Sequence, residues 1–259
     1  MSITLGPGPI RGFPLSDRQF ARIAPHLPTD TRGKPRVDER RVISGIIQIM
    51  LSGARWKDAP SAYGPRKTLY NRFQRWAAKG VWARLFEALA QSGGPSAELL
   101  IDSSAVKAHR CASGGKGEAT HQAIGRSRGG RTTKIHALTD AACRPVAFVL
   151  TGGNVADCTA AVPLLEQVSN VRLIHCDKGY DTNAVRRQIE DKGAAPNIPP
   201  KANRVWKNCF SPVLYRTRNA IERMFNRLKD FRRIATRYDR NATHFHAVIC
   251  VVAVVSYWL

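Results

Sequence analysis

Leu173-Ile174-His175-Cys176-Asp177-Lys178-Gly179-Tyr180-Asp181 is the stretch whose reading decides the fold. A short, mostly apolar run stops on a carboxylate, and a glycine follows two residues later. That is the pattern of a buried strand ending in a turn. Upstream, Leu99-Leu100-Ile101-Asp102-Ser103-Ser104 repeats it. Downstream, Glu222 sits inside an amphipathic helical pattern, Ala220-Ile221-Glu222-Arg223-Met224-Phe225. A chain that ends two core strands in carboxylates has a use for them, and holding Mg²⁺ against a phosphate is one such use.

Working outward, strands are expected at 98–104, 133–139, 145–151, 171–177 and 194–199. Helices are expected at 157–168, 182–192, 215–232 and 243–257. The order is β-β-β-α-β-α-β-α, an α/β unit with a mixed five-stranded sheet and flanking helices. In such open sheets sites form at the carboxyl ends of strands, where Asp102 and Asp177 are expected. Residues 111–134 read as a mobile basic loop, rich in Gly, Ser and Arg.

The first 95 residues differ. After a Gly/Pro-rich start (1–14), Ser16-Asp17-Arg18-Gln19 has the form of a capping box. Asp38 is placed to cap a second helix that Gly53 ends. Helices from Lys67 to Lys79 and from Val81 to Gln91 follow. The sequence therefore divides into an all-helical unit, 1–95, and an α/β unit, 96–259. Trp56, Trp76 and Trp82 are expected in the helical core.

The chain has 259 residues with Lys+Arg 41 against Asp+Glu 19, a net charge of +22. That excess calls for a polyanionic partner, and nucleic acid fits it best. The six cysteines form no CxxC pair, so reduced, mostly buried thiols of a cytoplasmic protein are expected. No signal-peptide pattern opens the chain, and the apolar run 247–259 is too short to span a bilayer, so no membrane partner is expected.

The Glu222 helix can be tested by arithmetic. At about 100° per residue, Tyr215, Arg218 and Lys229 project within about 40° of Glu222. Ile221, Phe225 and Leu228 fall on the adjoining face, which suits packing on the sheet. Asp157, after Thr151-Gly152-Gly153-Asn154-Val155-Ala156, is the alternative carboxylate and reads as a helix N-cap. Asp140 and Asp181 read as turn residues.

Tyr215-x2-Arg218-x3-Glu222-x6-Lys229 resembles the Y-R-E-K signature of bacterial insertion-sequence DDE transposases. Ile101-Asp-Ser-Ser-Ala-Val-Lys-Ala-His109, Gly125-Arg-Ser-Arg-Gly-Gly-Arg-Thr-Thr-Lys-Ile-His136 and Asn226-Arg-Leu-Lys-Asp-Phe-Arg-Arg-Ile-Ala-Thr-Arg-Tyr-Asp239 are similar to the insertion-sequence group numbered five. Gly53-Ala-Arg-Trp-Lys-Asp-Ala-Pro60 and Tyr70-Asn-Arg-Phe-Gln-Arg-Trp76 match in the helical unit. The resemblance implies an RNase H-like catalytic domain. Asp102, Asp177 and Glu222 would be its catalytic, metal-binding triad, holding two Mg²⁺ or Mn²⁺ ions about 4 Å apart. It also implies cleavage of a transposon strand to a 3′-OH that then attacks target DNA. A hydrolytic nuclease without strand transfer and a catalytically silent DNA-binding regulator are the alternatives.

Candidate contacts to double-stranded DNA follow from the basic residues, with a homodimer expected on the element ends. The second and third helices suit a helix-turn-helix, with Arg72, Arg75 and Lys79 spaced to project together from the third. Arg126, Arg128 and Arg131 stand in the 111–134 loop. Tyr215, Arg218 and Lys229 flank the acid. Between Lys201 and Arg240 there are twelve Lys/Arg and three Asp/Glu, a stripe able to track a DNA backbone.

Overall fold

The structure, a computed structural model, describes residues 15–28, 38–94, 96–113 and 122–259. The Gly/Pro-rich start 1–14 and the middle of the 111–134 loop lie outside the described residues.

Local chemistry starts the first helices where the sequence places them. Helix α1 (Asp17–Ile23) opens on the capping box: Gln19 N–H donates to the Ser16 hydroxyl, and Ser16 N–H donates to the Gln19 side-chain oxygen. In α2 (Glu39–Ser52) the Asp38 carboxylate accepts from Arg41 N–H. Gly53 ends that helix at φ 63°, a left-handed backbone that glycine adopts without strain. Helices α3 (Arg66–Ala78) and α4 (Val81–Ser92) follow, with Gly80 between them.

The α/β part begins with β1 (Glu98–Ala108), β2 (Gly125–Ser127), β3 (Gly130–Asp140) and β4 (Pro145–Gly152). Then come α5 (Asp157–Leu165), β5 (Leu173–Cys176), α6 (Asn183–Asp191) and β6 (Ala195–Asn197). The chain closes with α7 (Pro212–Tyr215), α8 (Asn219–Lys229), α9 (Arg232–Ala235), β7 (Thr236–Arg237) and α10 (Ala242–Ala253). Strand β1 is central. It pairs antiparallel with β3 and parallel with β5, and its far end pairs parallel with β7. Strand β4 extends the antiparallel side and β6 the parallel side.

The five expected strands are all present, and two short ones join them. Strands β2 and β3 form a hairpin inside the stretch expected to be a loop. Strand β7, two residues long, offers no periodicity to a sequence reading. The expected single helix 215–232 is broken. Between α7 and α8, residues Arg216–Arg218 form a 3₁₀ turn. There the Thr217 hydroxyl bonds both the Leu214 carbonyl and the Glu98 carboxylate, at 2.8 and 2.7 Å. A second break precedes α9.

The two sheet faces carry different cores. Leu99 and Ile101 pack with Ala161, Leu164, Val185 and Ile189 of α5 and α6. Leu100, Val106 and Ile135 face the other way, into a core with Ile221, Leu228 and Phe245 of α8 and α10. The period-2 alternation of β1 sets this division. That second core continues without interruption through Ile46, Phe73, Trp82 and Leu85 of α2, α3 and α4. Helices α2 to α4 thus share one hydrophobic core with the sheet. Trp76 and Trp82 are buried in it, and Trp56 packs half-buried against it. Of the six cysteines, only Cys176 and Cys250 are fully buried; Cys111 and Cys209 are exposed, and none is in a disulfide. No helix among the described residues is long and apolar enough to cross a membrane.

Candidate active site

Strand register brings the first two acids together. In the parallel β1–β5 pair, Ile101 lies opposite Cys176. Asp102 and Asp177 are the next residue on each strand, so they stand side by side. The sequence places Asp102 at a strand end, but β1 runs on past it to Ala108 against β3. Asp102 is instead the point where parallel pairing with β5 stops, which opens the sheet there. Asp177 begins a 3₁₀ turn, and its carboxylate accepts the Gly179 N–H at 2.8 Å.

Alternation along β1 sends Asp102 to the face that carries α8, and Glu222 stands in the first turn of that helix. Arg218 joins the two. Its guanidinium donates to Asp102 at 2.5 Å and to Glu222 at 3.0 Å. It also lies over the Tyr215 ring, 5.7 Å from the centroid. The Thr217–Glu98 bond anchors the turn that carries Arg218 to the start of β1. Lys229 ends α8, half-buried, two turns beyond Glu222. Tyr215, Arg218 and Glu222 therefore stand together beside Asp102 even though the helix carrying them is broken, while Lys229 lies two turns farther along α8.

The electrostatics are those of crowded acids. Burial pushes the Asp102 carboxyl up to about 6; Arg218 opposes that rise, and Asp177 and Glu222 add to it. Burial works against the Arg218 charge, yet Asp102, Tyr215 and Glu222 together hold it above the usual guanidinium value. Burial alone lowers Lys229. Among the described residues, no three acidic, imidazole or thiol groups converge closely enough as they stand to enclose one ion. The donor set nevertheless suits a hard divalent cation: three carboxylates, with a cationic group already lying between two of them.

A second polar cluster lies on the opposite sheet face, and the sequence reading missed it. Asp157 is the first residue of α5 and does not cap it; the N-cap position is Ala156. Its carboxylate accepts instead from the Ser103 hydroxyl at 2.7 Å and the Lys134 ammonium at 3.0 Å. Buried His136 stands 3.9 Å away and bonds Thr151. The alternation Lys134-Ile135-His136 could have signalled two polar residues on one face. Their partner could not be read, because it depends on strand register. Asp181 is also more than a turn residue: fully buried, it pairs with Arg186 and Arg204 at 2.8 and 2.7 Å. Asp140 holds its turn, accepting from the Arg144 backbone.

The expected DNA contacts fall into different situations. Arg72 bonds Glu39 at 3.3 Å and lies 5.0 Å over Trp76, while Arg75 and Lys79 are exposed. In the β2–β3 hairpin Arg126 and Arg131 are direct cross-strand partners, with Arg128 at the turn, and all three are exposed. Like charges placed opposite each other destabilise a hairpin unless an anion neutralises them.

A mixed sheet of order β4-β3-β1-β5-β6 with helices on both faces is an RNase H-like fold. Comparison with solved proteins agrees at the level of fold. The piggyBac transposase, in a synaptic complex with hairpin DNA, superposes with a TM-score of 0.53 at 11% identity, covering 92% of this chain and 70% of that one. Residues 15–86 match the family model described as "Putative transposase of IS4/5 family", and residues 93–209 and 174–259 match two models for the transposase DDE domain. The "Putative transposase for insertion sequence element IS6501" of Brucella ovis is 33% identical over 129 residues, 49% of this chain and 98% of that protein. The corresponding protein of element IS402 from Burkholderia cepacia is 32% identical over 121 residues, 42% of this chain and 55% of that protein. The chain belongs to the insertion-sequence transposases of the IS4/5 family, and it is a DDE transposase.

Proposed function

We propose that this transposase binds the ends of its element, cuts a DNA strand to a 3′-OH at Asp102, Asp177 and Glu222, and joins that 3′-OH to target DNA. The observation that carries the reading is that Arg218 bridges Asp102 of β1 and Glu222 of α8, with Asp177 next to Asp102 at the end of β5. Divalent ions held by the triad would supply Lewis-acid stabilisation of the attacking and leaving oxygens. The chain's own residues orient the DNA. Arg218 has two donors on carboxylates and can turn them to a phosphate, for which its planar fork is suited. Tyr215 supports it from below. Lys229 stands near enough along α8 to hold a neighbouring phosphate. The hairpin arginines supply sequence-independent attraction to the duplex, and the exposed Arg75 and Lys79 of α3 read the element end. Residues 1–95 form the end-recognising part of this reading and 96–259 the catalytic part, in a homodimer on the two ends.

The test is cleavage and joining of duplexes carrying the element's own ends. Asp102→Asn, Asp177→Asn and Glu222→Gln should each reduce cutting to background while duplex binding stays within about twofold of wild type. Cutting at the wild-type rate by any one of them would remove that residue from the site. Cutting by wild type without joining would reduce the activity to that of a nuclease.

A further inference from the structure

A large open cavity lies away from the triad, where the helices of the N-terminal unit meet the chain between α9 and α10. It encloses about 770 Å³, within the range of roughly 300–1,000 Å³ usual for small-molecule sites. Two kinds of side chain line it. Trp56, Tyr70 and Tyr238 supply flat aromatic surface, and Tyr70 is 38% exposed. Arg232 and Arg240, both exposed, supply cations. Arg232 lies 5.9 Å over the Tyr238 ring. Asp239 adds one further group. Its Oδ2 is buried and takes no hydrogen bond within the chain, although the residue lines the cavity. A buried acceptor without a donor costs free energy until a ligand or water supplies one.

Rings for stacking, guanidinium groups for phosphate and one carboxylate oxygen without a hydrogen-bond donor together match a nucleotide. We propose that this cavity holds one unpaired nucleotide of the DNA, turned out of the duplex, its base against Tyr70 and its phosphate at Arg232 and Arg240. The inference rests on the DNA-cutting reading above and extends it to a second, non-catalytic site. Strand β1 connects the two sites. Asp102 lies six residues before Ala108, which pairs with Arg237 of the strand leading directly into Tyr238 and Asp239. That is about 20 Å of strand, or about six base steps of duplex. One DNA strand can therefore engage both sites.

The experiment uses the full chain and fluorescent 2-aminopurine placed singly at positions two to ten from the cut in an element-end duplex. A matched single-stranded oligonucleotide and a mononucleotide are titrated in parallel. Wild type should change the 2-aminopurine signal at one position several steps from the cut. Tyr70→Ala and Arg240→Ala should abolish that change and weaken the single-stranded oligonucleotide about tenfold. Asp239→Asn, which keeps the side-chain shape, should alter which base is preferred. Thermal melts of each variant establish that it is folded. A positional signal and single-strand affinity indifferent to Tyr70→Ala and Arg240→Ala would overturn the proposal. So would tight mononucleotide binding with no positional signal in DNA, which would make the cavity a free-nucleotide site. Failure of wild type to bind the element-end duplex at all would instead defeat the DNA-cutting reading, so the two failures are separable.

Discussion

Asp157 shows how little of a residue's role its neighbours in sequence need reveal. A carboxylate at the start of a helix is ordinarily a cap, but this one takes Ser103 and Lys134 from two sheet strands. His136, in the same cluster, has its imidazole pushed down to about 4, chiefly by burial, with Asp157 opposing and Lys134 assisting. Its folded value lies below the unfolded one, near 6.5, so the unfolded chain takes up the proton first. Stability present above pH 6.5 should therefore be lost as pH falls, levelling off below about pH 4. The span of 2.5 units corresponds to about 3 kcal/mol. Urea melts at stepped pH should show that slope in wild type, and His136→Gln should flatten it; an unchanged slope would place the acid sensitivity elsewhere. The acids of the active site were legible because each closes or interrupts an apolar pattern. The Asp157 cluster was not, since only the pairing of Ser103 with His136 in the β1–β3 register brings its members together.

Two short elements carry the next scale. The β2–β3 hairpin places Arg126 against Arg131 with Arg128 at its tip. Replacing all three by Ala should relieve their mutual repulsion and leave the free protein as stable as wild type or slightly more so. Duplex affinity should fall, and the slope of log affinity against log salt should become shallower by about 2.7, at about 0.9 per phosphate contact. An unchanged slope would mean the hairpin points away from DNA. The second case is the close approach of α2 to the 3₁₀ turn Ser61–Tyr63. A Cβ on Gly45 would lie 2.6 Å from the Tyr63 Cβ, and neither backbone can yield without repacking. Gly45→Ala should cost about 1–3 kcal/mol, despite alanine's better helix propensity, and a stability gain in denaturant melts would contradict that packing. Neither the hairpin nor the helix break at Arg216–Arg218 was legible. The hairpin is three residues a side and hidden in a Gly-rich run. The break is fixed by Thr217 reaching Glu98, 119 residues away, which no window along the chain contains.

All five expected strands stand where the apolar runs place them, in the expected succession with the helices; their order across the sheet, and the two short added strands, were not read from the sequence. What the sequence reading did not anticipate is that helices α2 to α4 have no separate core. Phe73, Trp82 and Leu85 are continuous with Phe245 and Val248 of α10 and with the sheet. The pattern changes from all-helical to α/β near residue 95 and suggests two units; the apolar faces that unite them lie on helices far apart in the chain. Phe245→Ala, at a side chain with no exposed surface, should cost about 3–5 kcal/mol. Calorimetry should show one transition shifted as a whole, and two separated transitions would show that the helical part melts alone. The common core also bears on how such elements diversify. A helical unit with its own core could be exchanged between lineages as a cassette, bringing a new end sequence in one recombination event. Here any exchange would have to carry α10 as well, from beyond the whole sheet. New end specificity in this lineage should therefore arise by substitutions on exposed positions such as Arg75 and Lys79, in step with gradual drift of the element's own termini, rather than by shuffling of modules.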